Sequence, residues 1–285
     1  MSPPVAVVTD STAYLPARLA DKSGLAVVPL TVVINGRAGS EGVDVEPADV
    51  ARALGERRVA VTTSRPAPAA FTELYDRLLD AGAAGVVSIH LSARLSGTYE
   101  AAALAAADFG DRVAVVDSRS TGMGLGFPAL VAASAAEGGA DLAGVIAAAS
   151  GAIARTTTLF YVDTLEFLRR GGRIGAASAL VGTALAVKPI LHVYEGEVVA
   201  RDRVRTASRA LSRLLDLAVE AAGPTGGVDA AVHHLAAPGR ATALADSLTA
   251  RLGDRLRTLH VAEVGAAVAA HVGPGLAGIV VHRAP

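Results

Sequence analysis

The stretch GVVSIHLSARLSGTYEAA, residues 85–102, predicts a strand, a loop and a helix in immediate succession. Its first seven residues are an apolar run typical of a buried strand, and its end is rich in alanine. Between them lie Ser92, Ser96, Gly97 and Thr98. Hydroxyl groups at the start of a helix can act as a nucleophile, a phosphate cradle, a carboxylate holder or only a helix cap.

The same succession recurs along the first half of the chain, where apolar runs alternate with amphipathic stretches. Residues 66–82 predict one helix, because Phe71, Leu74 and Leu78 fall on one face. Alternating strands and helices indicate an α/β fold with a largely parallel sheet covered on both faces. The predicted strands are residues 5–10, 25–34, 59–63, 85–91 and 112–117.

The second half has a different pattern. Residues 188–204 predict a β-hairpin that turns near Glu195 and Gly196, and a helix with a leucine face follows at 207–223. Four further strand-like segments, the first at residues 158–164, and a helix from about 239 to 252 complete it. We therefore expect two domains: residues 1–155 with the parallel sheet, and residues 156–285 as an α+β domain with an antiparallel sheet.

Every hydroxyl-rich segment of the first half directly follows a predicted strand. These segments are TDST (9–12), TTSRP (62–66), LSARLSGT (91–98) and DSRST (117–121). Ligands of parallel sheets bind beyond the carboxyl ends of the strands, so we expect the four loops to line one rim. Taken singly, each loop is equally well explained as an ordinary helix N-cap.

Composition excludes several classes of protein. The formal net charge is -1 and no basic stripe occurs, so no nucleic-acid partner is expected. The chain has no cysteine, which excludes disulfides and thiolate metal sites and fits a reducing cytoplasm.

No secretory leader is expected at the N-terminus. Residues 265–281 approach the length of a membrane span, but His271, Pro274 and glycines interrupt them, so no integral membrane segment is expected.

Familiar catalytic motifs are missing from the sequence. It contains neither GxxxxGK[ST] nor HExxH, so no phosphate loop and no metal site are expected, and Ser96 lies outside a GxSxG motif. A serine nucleophile would need a distant base, and His271 in HVGPG is either that base, a ligand residue or a core histidine. A serine acylhydrolase using Ser96 and His271, and a small-molecule or phosphate-binding regulatory module, therefore stay open.

The sequence resembles the DegV family of bacterial fatty-acid-binding proteins over nearly its whole length. The resemblance rests on seven segments in the family's order: VVTDST, TTSRPAPAAF, LSARLSGTYEAA, VVDSRS, LRRGGRIG, KPIL and HVGPGLAG. Two positions depart from the family pattern. Arg65 stands where glutamine is usual, and Ala93 stands in place of a second serine.

The resemblance implies two α/β domains with a long-chain fatty acid buried between them and no cofactor. The matching motif positions for its carboxylate are Thr63, Ser96 and His271. Three further residues are expected nearby, namely Ser64, Ser92 and Gly97. The resemblance also implies a role without catalysis of its own: a carrier that presents the carboxylate to a separate fatty acid kinase catalytic subunit and then holds the acyl phosphate.

The arginines of LRRGGRIG can be interpreted in two ways. A charge run is usually a solvated face, but arginines held by a glycine turn can also bind an acidic partner or a phosphate. We expect the exposed Arg169, Arg170 and Arg173 to dock the kinase.

Overall fold

The computed structural model describes residues 4–56, 59–180 and 187–285. Up to residue 155 the strands are β1 (Val5–Asp10), β2 (Ala26–Val28), β3 (Thr31–Ile34), β4 (Arg37–Ser40), β5 (Val61–Ser64), β6 (Gly85–His90) and β7 (Val113–Asp117). The helices of this part are α1 (Ala17–Ser23), α2 (Pro47–Gly55), α3 (Pro68–Asp80), α4 (Thr98–Ala106), α5 (Met123–Glu137) and α6 (Leu142–Ala154).

After residue 155, the described part of the chain contains six strands and four α-helices. The strands are β8 (Thr156–Tyr161), β9 (Lys188–Tyr194), β10 (Glu197–Val204), β11 (Val228–His234), β12 (Leu256–Glu263) and β13 (Ala277–Arg283). The helices are α7 (Glu166–Arg170), α8 (Ala207–Ala221), α9 (Pro238–Leu252) and α10 (Ala266–Val272).

A parallel sheet of order β2-β1-β6-β7 forms the first layer, and this confirms the predicted fold class. Strand β6 is buried along its whole length because helices cover both of its faces. Val86 packs into the core formed with α3 and α4, whereas Val87 and Ile89 pack against α5 and α6. Successive side chains of β6 thus pack into two different cores. Because both faces of the strand are buried, its sequence is a nearly continuous apolar run.

The prediction of one strand over residues 25–34 is wrong. β2 belongs to the parallel sheet, but β3 pairs antiparallel with β4 and β5 in a separate three-stranded sheet. Pro29 lies between β2 and β3, and its missing N–H interrupts a strand ladder. The segment around β5 was likewise expected in the parallel sheet and lies in the three-stranded one.

The C-terminal sheet has the order β10-β9-β8-β13-β11-β12. The predicted hairpin is present as β9 and β10. The sheet is mixed rather than purely antiparallel, because β11 and β12 are parallel and α9 provides the crossover between them. Helices α8 and α9 cover one face, where Leu214 and Leu248 are fully buried.

The opposite face of this sheet meets elements from the first half of the chain. Helix α5 packs over β13, and Val32 of β3 shares a core with Phe160 of β8 and Ala267 of α10. The space between this face and the loops of the parallel sheet is where the cavities described below lie. The division into domains at residue 155 stays a prediction.

Within the described ranges, no helix combines the length and apolar character needed to cross a membrane. The same residues contain no group of three or more metal-ligating side chains close enough to hold an ion.

Candidate ligand-binding site

A cavity of about 600 Å³, including its space open to solvent, lies beyond the carboxyl ends of the parallel strands. We call it the front cavity. Each of the four polar loops contributes one hydroxyl side chain to its wall: Thr12, Thr63, Ser96 and Thr121. The four loops therefore meet at one place, although Thr63 arrives from the three-stranded sheet.

Thr63 and His271 are in direct contact in this wall. Thr63 Oγ1 and His271 Nε2 share a hydrogen bond of 2.9 Å across 208 positions of sequence. His271 lies in the last turn of α10, and its ring packs closely on the backbone of Gly171. A Cβ at Gly171 would lie 2.1 Å from His271 Nδ1, so the glycine turn of LRRGGRIG makes room for the imidazole.

His271 is neutral at physiological pH. Burial is the main cause that lowers the pKa of its imidazole to about 4, and the nearby Arg173 lowers it further. The buried Nδ1 has no hydrogen-bond partner among the described residues. His271 thus enters the site as a neutral ring with one nitrogen on Thr63, not as an imidazolium.

Ser96 lies at the start of α4, one residue before the N-cap Gly97. Its Oγ shares a 2.9 Å hydrogen bond with Thr98 Oγ1. Among the hydrogen bonds of the described residues, His271 Nε2 pairs with Thr63 and not with Ser96. The Ser–His contact that an acylhydrolase requires is therefore not formed in this arrangement.

The three arginines of LRRGGRIG lie in two different environments. Arg169 and Arg170 are exposed and both bond to Glu166. Arg173, expected to be exposed as well, is half-buried and lines the front cavity. Its Nε donates to the Leu95 carbonyl at 2.9 Å and its Nη1 to the Gly171 carbonyl at 2.6 Å.

Arg173 lines the cavity although it was expected on the surface, and the sequence carries a signal for this position. Gly172 has a φ of +70°, and the Arg173 N–H donates to the Leu168 carbonyl. This left-handed turn after α7 reverses the chain and returns the third arginine to the site. A pair of glycines between basic residues is the pattern that indicates such a reversal.

The residues expected near the site have structural positions outside the cavity wall. Ser92 is buried and donates to the Gly196 carbonyl at 2.7 Å, which ties the loop to the β9–β10 turn. Ser64 is exposed on the other side of β5 from Thr63. Arg65 covers Gly97 from outside, so its departure from the family pattern concerns the outer surface of the loop.

A second cavity of about 440 Å³, again including space open to solvent, adjoins the first and is called the inner cavity. Its wall is almost entirely apolar. His233 is neutral there, because burial lowers its pKa to about 4, and its Nε2 accepts from the Met123 N–H. Among the described residues, five line both cavities: Thr121, Phe160, Val193, Val268 and Val272. Together the cavities are polar at the front and apolar inside, which suits an amphiphile.

A series of buried side-chain hydrogen bonds holds Thr12 in the cavity wall. Thr12 Oγ1 donates to Asp10 at 2.6 Å, and Asp10 also contacts His90 Nδ1 at 3.0 Å. His90 Nε2 lies 2.7 Å from Ser88 Oγ, which accepts from the Tyr75 hydroxyl. This Asp–His–Ser arrangement resembles a hydrolytic triad, but all three side chains are fully buried. It holds the ends of β1 and β6 together.

The chain matches one protein family over almost its whole length. The family model described as an uncharacterised protein of the DegV family matches residues 4–284. The chain belongs to the DegV family. A DegV domain-containing protein of Streptomyces coelicolor is 54% identical over 281 residues, covering 99% of each chain.

Solved structures of DegV proteins have the same fold. One from Thermus thermophilus, described as fatty acid binding, superposes with a TM-score of 0.93 at 35% identity, covering 99% of this chain and 100% of that one. DegV of Bacillus subtilis, described as a fatty acid binding protein, has a TM-score of 0.89 at 31% identity over 99% and 100% of the two chains.

Proposed function

We propose that this protein binds a long-chain fatty acid, with the carboxylate in the front cavity and the tail in the inner cavity. The observation that carries the proposal is the polar corner of Thr63, Ser96, His271 and Arg173 at one end of an otherwise apolar enclosure. Its DegV relatives of known structure that are described as fatty acid binding support the same reading.

The proposed head site provides what a buried carboxylate needs. An ionised carboxylate without partners is very costly to bury. Hydroxyls of Thr63 and Ser96 can donate to it, and neutral His271 can offer one N–H. Arg173 supplies the compensating positive charge, which the neutral imidazole does not.

The tail supplies most of the proposed affinity. At ~0.8 kcal/mol per buried CH₂, a sixteen-carbon chain offers roughly 11–12 kcal/mol before the costs of ordering are subtracted. The wall of Phe160, Val193, Val268 and Val272 gives that chain an apolar environment.

We further propose that the protein acts in the cytoplasm as a carrier without catalysis of its own. A separate ATP-dependent kinase subunit would phosphorylate the carboxylate, and the acyl phosphate would stay bound. Transfer of the phosphoryl group requires the carboxylate end to be reachable, and the front cavity that would hold it includes space open to solvent. Exposed Arg169 and Arg170 are the proposed docking contacts, and Arg173 is reassigned to the head site. We propose no cofactor besides the bound acid.

Organic extraction of the purified protein followed by mass spectrometry tests the binding. We expect a long-chain fatty acid in about equimolar amount. A protein that carries no acid after purification, and takes up none when acids are added, would refute the proposal. Carrier function is tested by adding ATP and a bacterial fatty acid kinase catalytic subunit, then trapping the acyl phosphate with hydroxylamine.

Two assays separate the rival functions. An acylhydrolase would turn over a long-chain acyl ester, whereas the proposed carrier retains acid stoichiometrically. A phosphate-binding regulatory module would lose its bound acid in competition with inorganic phosphate. We expect the proposed carrier to keep its acid, because the tail in the apolar inner cavity supplies most of the affinity and phosphate has no tail.

A further inference from the structure

Tyr14 separates the inner cavity from an open cleft on the outside of the molecule. The cleft has a volume of about 880 Å³, including open solvent, and lies between the end of β1, β2 and the start of α10. Tyr14 is the only described residue that lines both spaces. Tyr14 lines the inner cavity but not the front cavity that holds Arg173, so it stands where the inner cavity meets the outer cleft.

The tyrosine is held in this position by several groups. Its hydroxyl donates to Glu41 Oε1 at 3.2 Å and accepts from the Val268 N–H at 3.1 Å. Its ring packs on Gly265, where a Cβ would lie 2.4 Å from Tyr14 Cε1. A ring edge also contacts His233, with the ring centroids 6.2 Å apart.

The backbone of Tyr14 is in an unfavourable conformation. Its φ of +46° and ψ of +45° lie in the left-handed region, which bulky residues rarely adopt. Such a conformation persists only where the surroundings enforce it. The hydroxyl bonds and the packing on Gly265 provide that enforcement, and the result is a ring directed between the two spaces.

The two ends of the enclosure differ in charge. The outer cleft is lined by carboxyl side chains, including Glu41, Glu46 and Glu263, whereas Arg173 lines the front cavity. A carboxylate is repelled by the first and attracted by the second. A bound acid therefore points its methyl end toward Tyr14.

We propose that Tyr14 sets the longest acyl chain that this protein accepts. The inference rests on the proposed function and adds to it the residue that limits the substrate. The chain extends from the head site through the inner cavity until its methyl end meets the tyrosine ring. Removing the ring joins the inner cavity to the outer cleft and allows longer chains to pass.

A chain-length series tests the proposal. The affinities of saturated acids of increasing length are measured for the wild type, Tyr14→Ala and Tyr14→Phe. Tyr14→Ala should bind acids longer than the wild-type optimum at least about ten-fold tighter than the wild type does, a difference of about 1.4 kcal/mol. Tyr14→Phe keeps the ring and should keep the wild-type optimum.

The outcomes separate this inference from the proposed function. Wild-type protein that binds no acid refutes the function. Binding with the same optimum in Tyr14→Ala as in the wild type overturns the inference alone, as does a shift in Tyr14→Phe equal to that in Tyr14→Ala. If Tyr14→Ala does not fold, Tyr14→Gly replaces it, because glycine adopts a φ of +46° without strain.

Discussion

Thr63 and Ser64 are neighbours in the chain with opposite environments. Thr63 bonds to His271 in the front cavity, whereas Ser64 is exposed and its hydroxyl donates to the Arg65 carbonyl. Successive side chains of a strand point to opposite faces, and β5 places one hydroxyl in the site and the other in solvent. A substitution at Ser64 is therefore a matched control for one at Thr63, because the two hydroxyls are adjacent in the chain and only that of Thr63 faces the front cavity.

Thr63→Val should weaken fatty-acid binding by about ten-fold or more. Valine keeps the shape of threonine but removes the hydroxyl, and a hydrogen bond to a charged group contributes about 1.5–3 kcal/mol. Calorimetric titration with one acid measures the change. Ser64→Ala is the control and should bind as the wild type does; equal losses in both variants would remove Thr63 from the head site.

Arg173→Gln should weaken binding of the acid and raise the pKa of His271. The guanidinium disfavours a positive charge on the imidazole, so its removal moves the pKa up toward the ordinary value, while burial still holds it below. An NMR titration of the His271 ring reads this directly. Arg169→Gln should change neither quantity, because Arg169 bonds to Glu166 on the surface. If the pKa of His271 is the same in Arg173→Gln as in the wild type, Arg173 does not lie close to His271.

Helix α10 is short, yet it carries His271 into the front cavity. A helix of seven residues is not stable by itself, so its position depends on tertiary contacts. Glu41 provides one, because its buried carboxylate accepts the Ala267 N–H at 2.7 Å and also bonds to Ser11 and Tyr14. The carboxylate near the N-terminus of α10 thus fixes the helix whose last turn carries His271.

Glu41→Ala should lower the free energy of unfolding by about 1–3 kcal/mol or more, since it leaves the Ala267 N–H and the Tyr14 hydroxyl without their acceptor. Urea unfolding measures the loss. Glu73→Ala, on the exposed face of α3, should stay within about 0.5 kcal/mol of the wild type. A Glu41→Ala protein as stable as Glu73→Ala would show that α10 does not need this carboxylate.

The sequence predicted correctly those strands and turns that neighbouring residues determine. β6 is evident from its apolar run and the β9–β10 hairpin from its turn. The three-stranded sheet was missed because its pairing of β3 with β5 joins distant segments. The contact between Thr63 and His271 spans 208 positions and leaves no local pattern, so only the family resemblance paired them. Arg173 was misplaced because its charge was considered without the chain reversal that the pair of glycines before it indicates.

For the whole molecule, burial of histidines makes stability depend on pH. His233 and His271 both have pKa values lowered to about 4, mainly by burial. Between pH of about 6.5 and 4 the unfolded chain binds protons that the folded protein does not, so stability falls as pH falls through this window. Each such histidine contributes roughly 3 kcal/mol to the loss. The raised pKa of Glu41 acts in the opposite direction.

His233→Gln should flatten this dependence. Urea unfolding of the wild type and the variant at several pH values across the window compares their slopes, which removes any constant difference in stability. We expect the variant's slope to be smaller by about one proton's contribution. Parallel curves would show that His233 is not held neutral by burial.

The inner cavity has a consequence for the lifetime of the protein in a cell. Its walls of Phe160, Val193 and Val272 lack packing partners on one side until a guest fills the space. Ligand that binds only the folded chain stabilises it by mass action, by about 2.7 kcal/mol at one hundred times Kd. Under the proposed function, a shortage of free acid would leave more chains unfolded and open to proteolysis. The abundance of this protein would then follow the supply of its lipid without any change in its synthesis.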